Sequence, residues 1–252
     1  MTYSLIGHCP DTGAFGAAIA TSSLGVGNRC IRLAHRRGAF LSQHRTDSRL
    51  GDVGIAALER GADAATALAA ALASTTDSAW RQLAALDAEG RSAAHHGALI
   101  YSIHGHSAAP NVVALGNIVA NDRVVTAIRD GFLGAEGASL ADRLLAGLEA
   151  GRDAGGEVSE PVRSSALRVT GEDGIDEWDL RVDRAEEAVA ALKALKTAYG
   201  EQAALLRAVA LRPDEVPVNR RLFHESLAQI EAQGLDERFP TARRAQDWTL
   251  AD

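Results

Sequence analysis

The stretch that decides the fold is TYSLIGH (2–8), followed by the turn Pro10-Asp11-Thr12-Gly13 and the run FGAAIAT (15–21). Side chains of the first run alternate between two faces, as a β-strand requires. Proline, aspartate and glycine in the turn favour a tight reversal of the chain. The sequence therefore predicts an antiparallel hairpin from residue 2, with residues 2–8 in the middle of a sheet and helices packed outside it.

Residue 2 of this hairpin is a threonine that follows Met1 directly. If Met1 is removed, Thr2 carries a hydroxyl and a free α-amino group on one residue. An α-amine has a pKa near 7.7–8.0, so a useful fraction is neutral at physiological pH and accepts a proton from a hydroxyl. This pair is a known form of activated nucleophile. We take Thr2 as the candidate nucleophile; the alternative is a small second residue without a chemical role.

The rest of the chain contains paired strands with helices grouped between them. Strands are predicted over 39–43, 81–86, 92–98, 112–118, 165–170 and 177–182. Helices are predicted over 53–60, 63–73, a segment ending at 132, 140–148 and 186–199, and the N-caps are Asp52, Asp63 and either Asn121 or Asp122. This arrangement indicates an α+β fold rather than a parallel sheet.

The chain is expected to have two parts, a domain over 1–199 and a C-terminal helical tail over 200–252. Helices are predicted over 203–211 and 222–233 in the tail, where Leu222, Leu227 and Ile230 are spaced for one helix face. One compact domain does not need these apolar side chains. We therefore expect the tail to contribute to a homodimer contact.

Composition bounds the partners of this protein. With 252 residues the chain is long enough to bury a full core. Its net charge of −7 argues against nucleic acid as a partner, because phosphate contacts need clustered lysine and arginine. The sequence predicts neither a signal peptide nor a membrane-spanning run. We therefore expect a cytoplasmic protein with no membrane partner and no nucleic-acid partner.

Polar residues after the second strand of the hairpin are expected to share one pocket with Thr2. The candidates for substrate binding are Ser22, Ser23, Asn28 and Arg29. An arginine suits a fixed carboxylate, and the backbone N–H groups of residues 25–27 suit a developing oxyanion. A tight glycine-rich turn without a ligand is the alternative.

Asn117 follows Gly116 at the end of a predicted buried strand, where its side-chain amide is a candidate catalytic donor. A lysine that assists the nucleophile is not expected. The two lysines, Lys193 and Lys196, both lie on a late predicted helix.

Histidines and cysteines give only a weak metal signal. His104 and His106 share one face of a predicted strand, but no cysteine or carboxylate lies at ligand spacing. His44 is interpreted as a polar residue at the rim of a sheet. Cys9 and Cys30 are interpreted as small buried hydrophobes, with a nucleophilic Cys30 as a minor alternative. We expect no metal and no cofactor.

The opening block resembles the bacterial family called domain of unknown function 1028. The likeness continues over roughly residues 1–200, through the segments 26–29, 43–51, 81–83, 87–90, 116–119, 144–151 and 178–183. This resemblance implies the N-terminal-nucleophile (Ntn) hydrolase architecture, a four-layer αββα sandwich in which two antiparallel sheets lie between helical layers. It also implies an amide-bond hydrolase, without naming a substrate.

The residues and the resemblance together predict an amidohydrolase that acts on the C–N bond of a small, carboxylate-bearing molecule. Thr2 attacks, its amine moves the proton, and Arg29 and Asn117 bind the carboxylate or the oxyanion. The alternative keeps the architecture without the nucleophile, as a ring-opening, deaminating or lyase-type enzyme or a non-catalytic small-molecule binder. Retention of Met1 favours the alternative, because the nitrogen of Thr2 is then part of a peptide bond.

Overall fold

The computed structural model describes residues 1–158, 161–215, 228–234 and 237. The chain divides into two compact units, Met1–Glu201 and Gln202–Asp252. The sheets, their cores and the candidate site lie in the first unit. In the second unit, the described residues include the end of a long helix and a short 3-10 helix at Pro213–Glu215.

Strands and helices follow one another in groups along the chain. The strands are β1 (Thr2–Cys9), β2 (Ala14–Thr21), β3 (Ile31–Ala34), β4 (Gly38–Gln43), β5 (Gln82–Asp87), β6 (Ser92–His96), β7 (His104–Ala109), β8 (Val112–Asn117), β9 (Ser164–Val169) and β10 (Trp178–Val182). The α-helices are α1 (Ser48–Glu59), α2 (Ala64–Ala73), α3 (Arg123–Gly134), α4 (Leu140–Asp153) and α5 (Ala188–Leu211).

The strands form two antiparallel sheets, which confirms the predicted α+β class. The larger sheet has six strands in the order β10-β9-β2-β1-β8-β7, and the smaller has four in the order β3-β4-β5-β6. β1 pairs with β2 on one side and with β8 on the other. The predictions that residues 2–8 form a central strand and that residues 15–21 pair with it are therefore confirmed.

Apolar cores lie on both faces of each sheet. Ile6 and Leu41 belong to the core between the sheets. Leu5 packs on the opposite face of the larger sheet with Phe132 of α3, and Phe40 packs on the outer face of the smaller sheet with residues of α1 and α2. Fully burying a side chain of this size stabilises the fold by about 1.5–3 kcal/mol.

The alternation along β1 decides which way Thr2 faces. Tyr3 and Leu5 point to the helix side of the larger sheet, whereas Ile6 belongs to the core between the sheets. Because side chains alternate along a strand, Thr2 and Ser4 share the face of Ile6. Thr2 therefore lies at the edge of the space between the two sheets.

Several predicted element ends differ from the structure. α1 begins at Ser48 and is capped by Asp47 rather than Asp52. α4 continues to Asp153, into a segment predicted as a loop. α5 runs without a break through residues 200–202, between two helices that the sequence predicted separately.

Most of the predicted tail falls on residues that the structure does not describe. Leu222 and Leu227 lie outside the described residues, and Ile230 lies on a described helical turn. The homodimer contact stays a prediction.

Candidate functional site

A cavity of about 580 Å³ lies at the Thr2 end of β1. Its lining residues are Met1, Thr2, Ser23, Val26, Arg29, Cys30, His44, Arg45, Thr46, Arg81, Tyr101 and Ile118. They come from the start of β1, from the segments that follow β2, β4, β6 and β8, and from the residue that precedes β5. A concave site of this kind is the usual place for a small ligand.

Thr2 is the first residue of β1 and its hydroxyl meets a second hydroxyl from β2. Thr2 is 8 % exposed, and its Oγ1 lies 3.3 Å from Oγ1 of Thr21. Both hydroxyls also donate to the carbonyl oxygen of Met1. With Met1 in place the nitrogen of Thr2 is an amide, which has no basic lone pair, so only a chain without Met1 carries the base.

Asn117 is the last residue of β8 and pairs with Thr2 across the sheet. Its Nδ2 donates to Oε1 of Gln82 at 2.8 Å. Its Oδ1 is buried without a hydrogen-bond partner among the described residues. The amide donor that the sequence assigned to catalysis is therefore already bonded, and the acceptor oxygen is the group that remains.

Gln82 joins this asparagine to a polar chain between the sheets. Its Oε1 accepts a second hydrogen bond from Nε2 of Gln43 at 2.6 Å, and Gln43 in turn accepts from Ser4 at 2.7 Å. The Nε2 of Gln82 donates to the carbonyl of Gly116 at 2.8 Å. Because buried polar groups are costly when unpaired, these bonds stabilise the space between the sheets. Neither Asn117 nor the two glutamines line the cavity, so the sequence prediction that Asn117 shares the pocket with Thr2 is not met by the cavity lining.

Two of the four predicted substrate-binding residues line the cavity. Ser23 and Arg29 are among its walls, whereas Ser22 and Asn28 are not. The backbone N–H of Ser22 donates instead to the carboxylate of Glu157. The expected pocket is therefore formed by part of the 22–29 segment only.

The guanidinium of Arg29 is bonded to its own loop. One terminal nitrogen donates to the carbonyls of Leu24 and Gly25, each at 2.9 Å, and the other donates to Oγ of Ser23 at 2.7 Å. These bonds use several of its five donors. Arg29 holds the loop in shape, which leaves it less free for a carboxylate than the sequence predicted.

The backbone N–H groups predicted to form an oxyanion site in Gly25–Gly27 are largely engaged. The N–H of Gly25 donates to the carbonyl of Asp183 at 3.1 Å, and that of Val26 donates to Oγ of Ser164 at 3.1 Å. This part of the prediction is not supported, because two of its three donors face the neighbouring strands.

Two further arginines, which the sequence analysis missed, line the same cavity. Arg45 follows β4 and Arg81 precedes β5. Arg81 donates to the carbonyl of Arg45 and pairs with Asp77 at 3.6 Å. Its Nε is buried without a hydrogen-bond partner in the described part of the chain. The lining set contains no aspartate or glutamate among the described residues, so the cavity attracts anions.

Three residues of the cavity wall have strained backbones. His44, Arg45 and Ile118 have φ angles of 53°, 46° and 54°. Non-glycine residues rarely adopt this left-handed region, and a β-branched residue there is an outlier. Each such residue costs on the order of 1–3 kcal/mol and persists only where its surroundings hold it. Their grouping around one cavity supports a functional role for it.

His44 lines the cavity, and one of its ring nitrogens is bonded to the backbone. Its Nδ1 lies 2.7 Å from the carbonyl oxygen of Trp80 and therefore carries the proton. Burial lowers the pKa of His44, which favours the neutral ring with its lone pair on Nε2. Tyr101 contacts the ring edge-on at 5.9 Å between centroids. His44 is thus a proton acceptor in the cavity wall, whereas the sequence analysis interpreted it as a rim residue.

Glu157 is a buried titratable residue that sequence reasoning missed. It is 8 % exposed, and both carboxylate oxygens accept from the N–H of Ser22, at 3.1 and 3.0 Å. Burial raises the pKa of Glu157 to about 7, while its hydrogen bonds and the N-terminal charge act in the opposite direction. It lies in a segment predicted as a loop, where a single glutamate carries no pattern.

Three histidines meet where the edges of the sheets face each other. His96 Nε2 lies 2.9 Å from Nδ1 of His106, and the rings of His96 and His104 are 5.7 Å apart. His96 also accepts from Gln82 at 2.9 Å. Burial and the neighbouring imidazoles lower the pKa of His96 to about 4. The described residues contain no group of three or more side chains arranged to hold a metal ion.

Cys30 lines the cavity but is a poor nucleophile. It is buried, and its Sγ lies 3.6 Å from Oγ1 of Thr46. Burial raises the pKa of Cys30, which keeps the thiol protonated. The minor alternative of a nucleophilic cysteine therefore has no support in this geometry.

Comparison with known proteins places this α+β chain in a family. The chain belongs to the family of unknown function DUF1028, whose model matches residues 2–192. Its structure is similar to the crystal structure of protein SPO2555 from Silicibacter pomeroyi, which is assigned to the same family. The two share 30% identity with a TM-score of 0.72, over 80% of this chain and 85% of the other. No protein with a curated description matches the chain.

Within the described ranges, no helix is long and apolar enough to cross a bilayer.

Proposed function

We propose that this protein is an amidohydrolase of the N-terminal-nucleophile type, which cleaves the C–N bond of a small carboxylate-bearing molecule. In this proposal the two sheets and the helices on their outer faces form the four-layer αββα sandwich of Ntn hydrolases. Removal of Met1 exposes the α-amine of Thr2. The amine takes the hydroxyl proton as Oγ1 attacks the carbonyl carbon, and it gives that proton to the leaving nitrogen as the C–N bond breaks. Water then attacks the ester on Oγ1 with the same amine as base, which releases the acid and returns a proton to Oγ1.

The position of Thr2 carries the proposal. It starts a strand that is paired on both sides, and its hydroxyl faces the space between the sheets at the wall of the arginine-lined cavity. A nucleophile needs a fixed position near its substrate, because small misplacements cost much of the rate. A central strand supplies that position, whereas a loose terminus does not.

The charge of the cavity supports the proposal of an anionic substrate. Arg29, Arg45 and Arg81 line it. Charge-assisted bonds from arginine to a carboxylate are among the strongest in proteins. We assign carboxylate binding to Arg45. The guanidinium of Arg29 is tied to its loop, and that of Arg81 is bonded to the carbonyl of Arg45 and paired with Asp77.

Asn117 keeps a place in the proposed site with a changed role. Its Nδ2 is bonded to Gln82, so its unpartnered Oδ1 is the atom available next to Thr2. An ammonium at residue 2 needs acceptors, and this oxygen is one. Asn117 therefore orients the amine in this proposal, instead of donating to an oxyanion.

One observation favours the second candidate, a binder or an enzyme that does not use the N-terminus. The carbonyl of Met1 accepts hydrogen bonds from both Thr2 and Thr21, so the terminus is well accommodated with Met1 in place. In that state the arginines of the cavity still bind an anion, and His44 is the remaining proton acceptor.

Intact mass and activity measured together test the proposal. Met1 is the only methionine, so its loss is unambiguous in the intact mass. A panel of N-acyl amino acids supplies amides that carry a carboxylate. The expected result is release of free amino acid by protein that lacks Met1, and none by protein with an uncleavable N-terminal fusion. Full turnover by protein that retains Met1 contradicts the proposal and supports the second candidate.

The cellular location and the oligomeric state belong to the same proposal. We place the enzyme in the cytoplasm, as a homodimer that the 200–252 segment helps to form. Light scattering of the full chain and of a chain ending at residue 201 tests the dimer: an unchanged oligomer mass after truncation counts against it.

A further inference from the structure

We propose that Glu157 is a positioning residue, which acts through Thr21 to hold the α-amine of Thr2 in its productive orientation. This inference rests on the proposed function, since it concerns the amine that Met1 removal exposes. It adds an acidic partner from a distant part of the chain to a site that is otherwise neutral or cationic.

The backbone places Glu157 firmly next to the site. Glu157 forms a β-bridge with Val119, just beyond the end of β8. On either side of it, the N–H of Ala120 donates to the carbonyl of Gly156 at 2.9 Å, and the N–H of Val158 donates to that of Ile118 at 3.3 Å. The glutamate is thus held by the same strained turn that forms one wall of the cavity.

The carboxylate reaches the terminus through one hydroxyl. Both of its oxygens accept from the N–H of Ser22, which directly follows Thr21. The Thr21 hydroxyl also interacts with Glu157, and its Oγ1 lies 3.3 Å from Oγ1 of Thr2. Thr21 therefore stands between the buried carboxylate and the first residue of β1.

Removal of Met1 changes what the Thr21 hydroxyl donates to. A hydroxyl has one proton, and with Met1 present the Met1 carbonyl receives it. When that carbonyl leaves, the proton is free for Glu157, and the Thr21 oxygen accepts from the new ammonium of Thr2. A chain from amine to hydroxyl to carboxylate then forms.

Charged groups face Glu157 and the terminus from several elements. Tyr3 of β1, Arg152 of α4 and Glu187 ahead of α5 share with Glu157 a small cavity of about 250 Å³, and His44 and Arg45 line the larger cavity with Met1. Burial raises the pKa of Glu157 and the N-terminal charge lowers it. By reciprocity, an ionised Glu157 raises the pKa of the amine, because opposite charges favour each other's charged forms.

The test measures the pKa of the amine directly, without a substrate. The protein is prepared with Thr2 first by cleavage of an N-terminal ubiquitin fusion. Its acylation by acetic anhydride is followed against pH through the mass of the 2–29 tryptic peptide. In Glu157→Gln we expect the amine pKa to fall by about one unit or more relative to the parent. Glu187→Gln, which changes an exposed carboxylate of the same small cavity, is expected to leave it unchanged.

Substitution of Thr21 tests the connecting hydroxyl separately from the charge of Glu157. It also keeps the inference testable if the Glu157 variant does not fold. Thr21→Val removes the connecting hydroxyl and is expected to lower the amine pKa, whereas Thr21→Ser restores the hydroxyl and the parent value. An equal amine pKa in the parent, Glu157→Gln and Thr21→Val overturns the inference. Labelling needs no turnover, so that result contradicts the inference without contradicting the proposed hydrolase. Conversely, an inactive protein that shows the expected pKa shifts contradicts the proposed function but not the inference.

Discussion

The two ends of β1 differ in chemistry although each opens into a cavity of similar size. The cavity at the Thr2 end measures about 580 Å³ and the one at the Cys9 end about 610 Å³. Three arginines line the first without a described acidic residue, whereas the second contains charges of both signs, including Asp11, Glu136 and Arg143. The two cavities therefore differ in the charge of their lining and not in their volume.

The two ends also differ in which residue types adopt the left-handed backbone conformation. The left-handed residues that line the Cys9 end are Asn111 and Gly137, types that adopt this conformation at little cost. At the Thr2 end such residues include a histidine, an arginine and an isoleucine. The comparison teaches that a cavity lining charged with one sign and a strained backbone, rather than cavity volume, mark the candidate site.

Turnover should separate the two ends most strongly. Thr2→Ala removes the proposed nucleophile and is expected to lower turnover about a thousandfold or more, whereas Thr2→Ser keeps part of it. Asp11→Ala, an exposed change at the Cys9 end, is expected to alter turnover by less than about twofold. Steady-state rates on an N-acyl amino acid check both. Equal losses at the two ends would break the comparison.

Stability should also depend more on the polar chain at the Thr2 end. Gln82→Met keeps the volume of the side chain but leaves the donors of Gln43 and Asn117 unpaired, at an expected cost of about 3 kcal/mol. His8→Phe at the other end loses one bond to Asn111 and keeps the stack on Phe15, so we expect about 1 kcal/mol or less.

Urea unfolding of the two variants measures this difference. A Gln82 variant as stable as the parent would show that the network between the sheets contributes little and that the two ends are equivalent in this respect.

Anion affinity sharpens the comparison further. Arg45→Met is expected to weaken binding of an N-acetyl amino acid about tenfold or more, because it removes a charge-assisted contact. Arg143→Met at the Cys9 end is the matched control and should leave the affinity unchanged. Calorimetric titration at two salt concentrations checks this, since the difference should shrink as salt screens the exposed charges. An effect of Arg143 equal to that of Arg45 would contradict the assignment.

The smallest expected effect is the pH dependence that the histidine cluster adds near the Thr2 end. Burial and the neighbouring imidazoles hold the pKa of His96 at about 4, against an ordinary value of 6.5. The unfolded chain therefore binds more protons in that window, and stability falls as the pH falls from about 6.5 to about 4. His96→Gln should make the fall shallower in thermal melts. An identical slope in the variant would show that the cluster does not contribute.

Much of the fold was predictable because its signals are local. The hairpin of β1 and β2 follows from alternation and a turn, and the cap at Asp63 is where the sequence placed it. The start of α1 was missed because Asp47 and Asp52 are both plausible caps, and only packing selects the first. The short strand β3 was missed because four residues that include an arginine give no clear alternation.

The candidate site was predictable only where its residues are close in sequence. Thr2, Ser23 and Arg29 lie within the first hairpin and its loop, and all three line the cavity. Arg45 and Arg81 reach it through the pairing of β4 with β5, which joins segments far apart in the chain. The same applies to Glu157, for which no local pattern exists. A search for charged residues next to strand ends would have found the two arginines.

The pairing of β1 with β8 also has a consequence for the order of events during synthesis. β1 has only β2 as a neighbour until β8 has been made, on the order of 100 residues later. At ~5–20 residues per second this interval lasts about 5–20 s, during which one edge of an apolar strand is unprotected. Glu157 follows later still. Thr2 is thus synthesised long before the residues that surround it. A nascent chain that stops before residue 157 has no complete site.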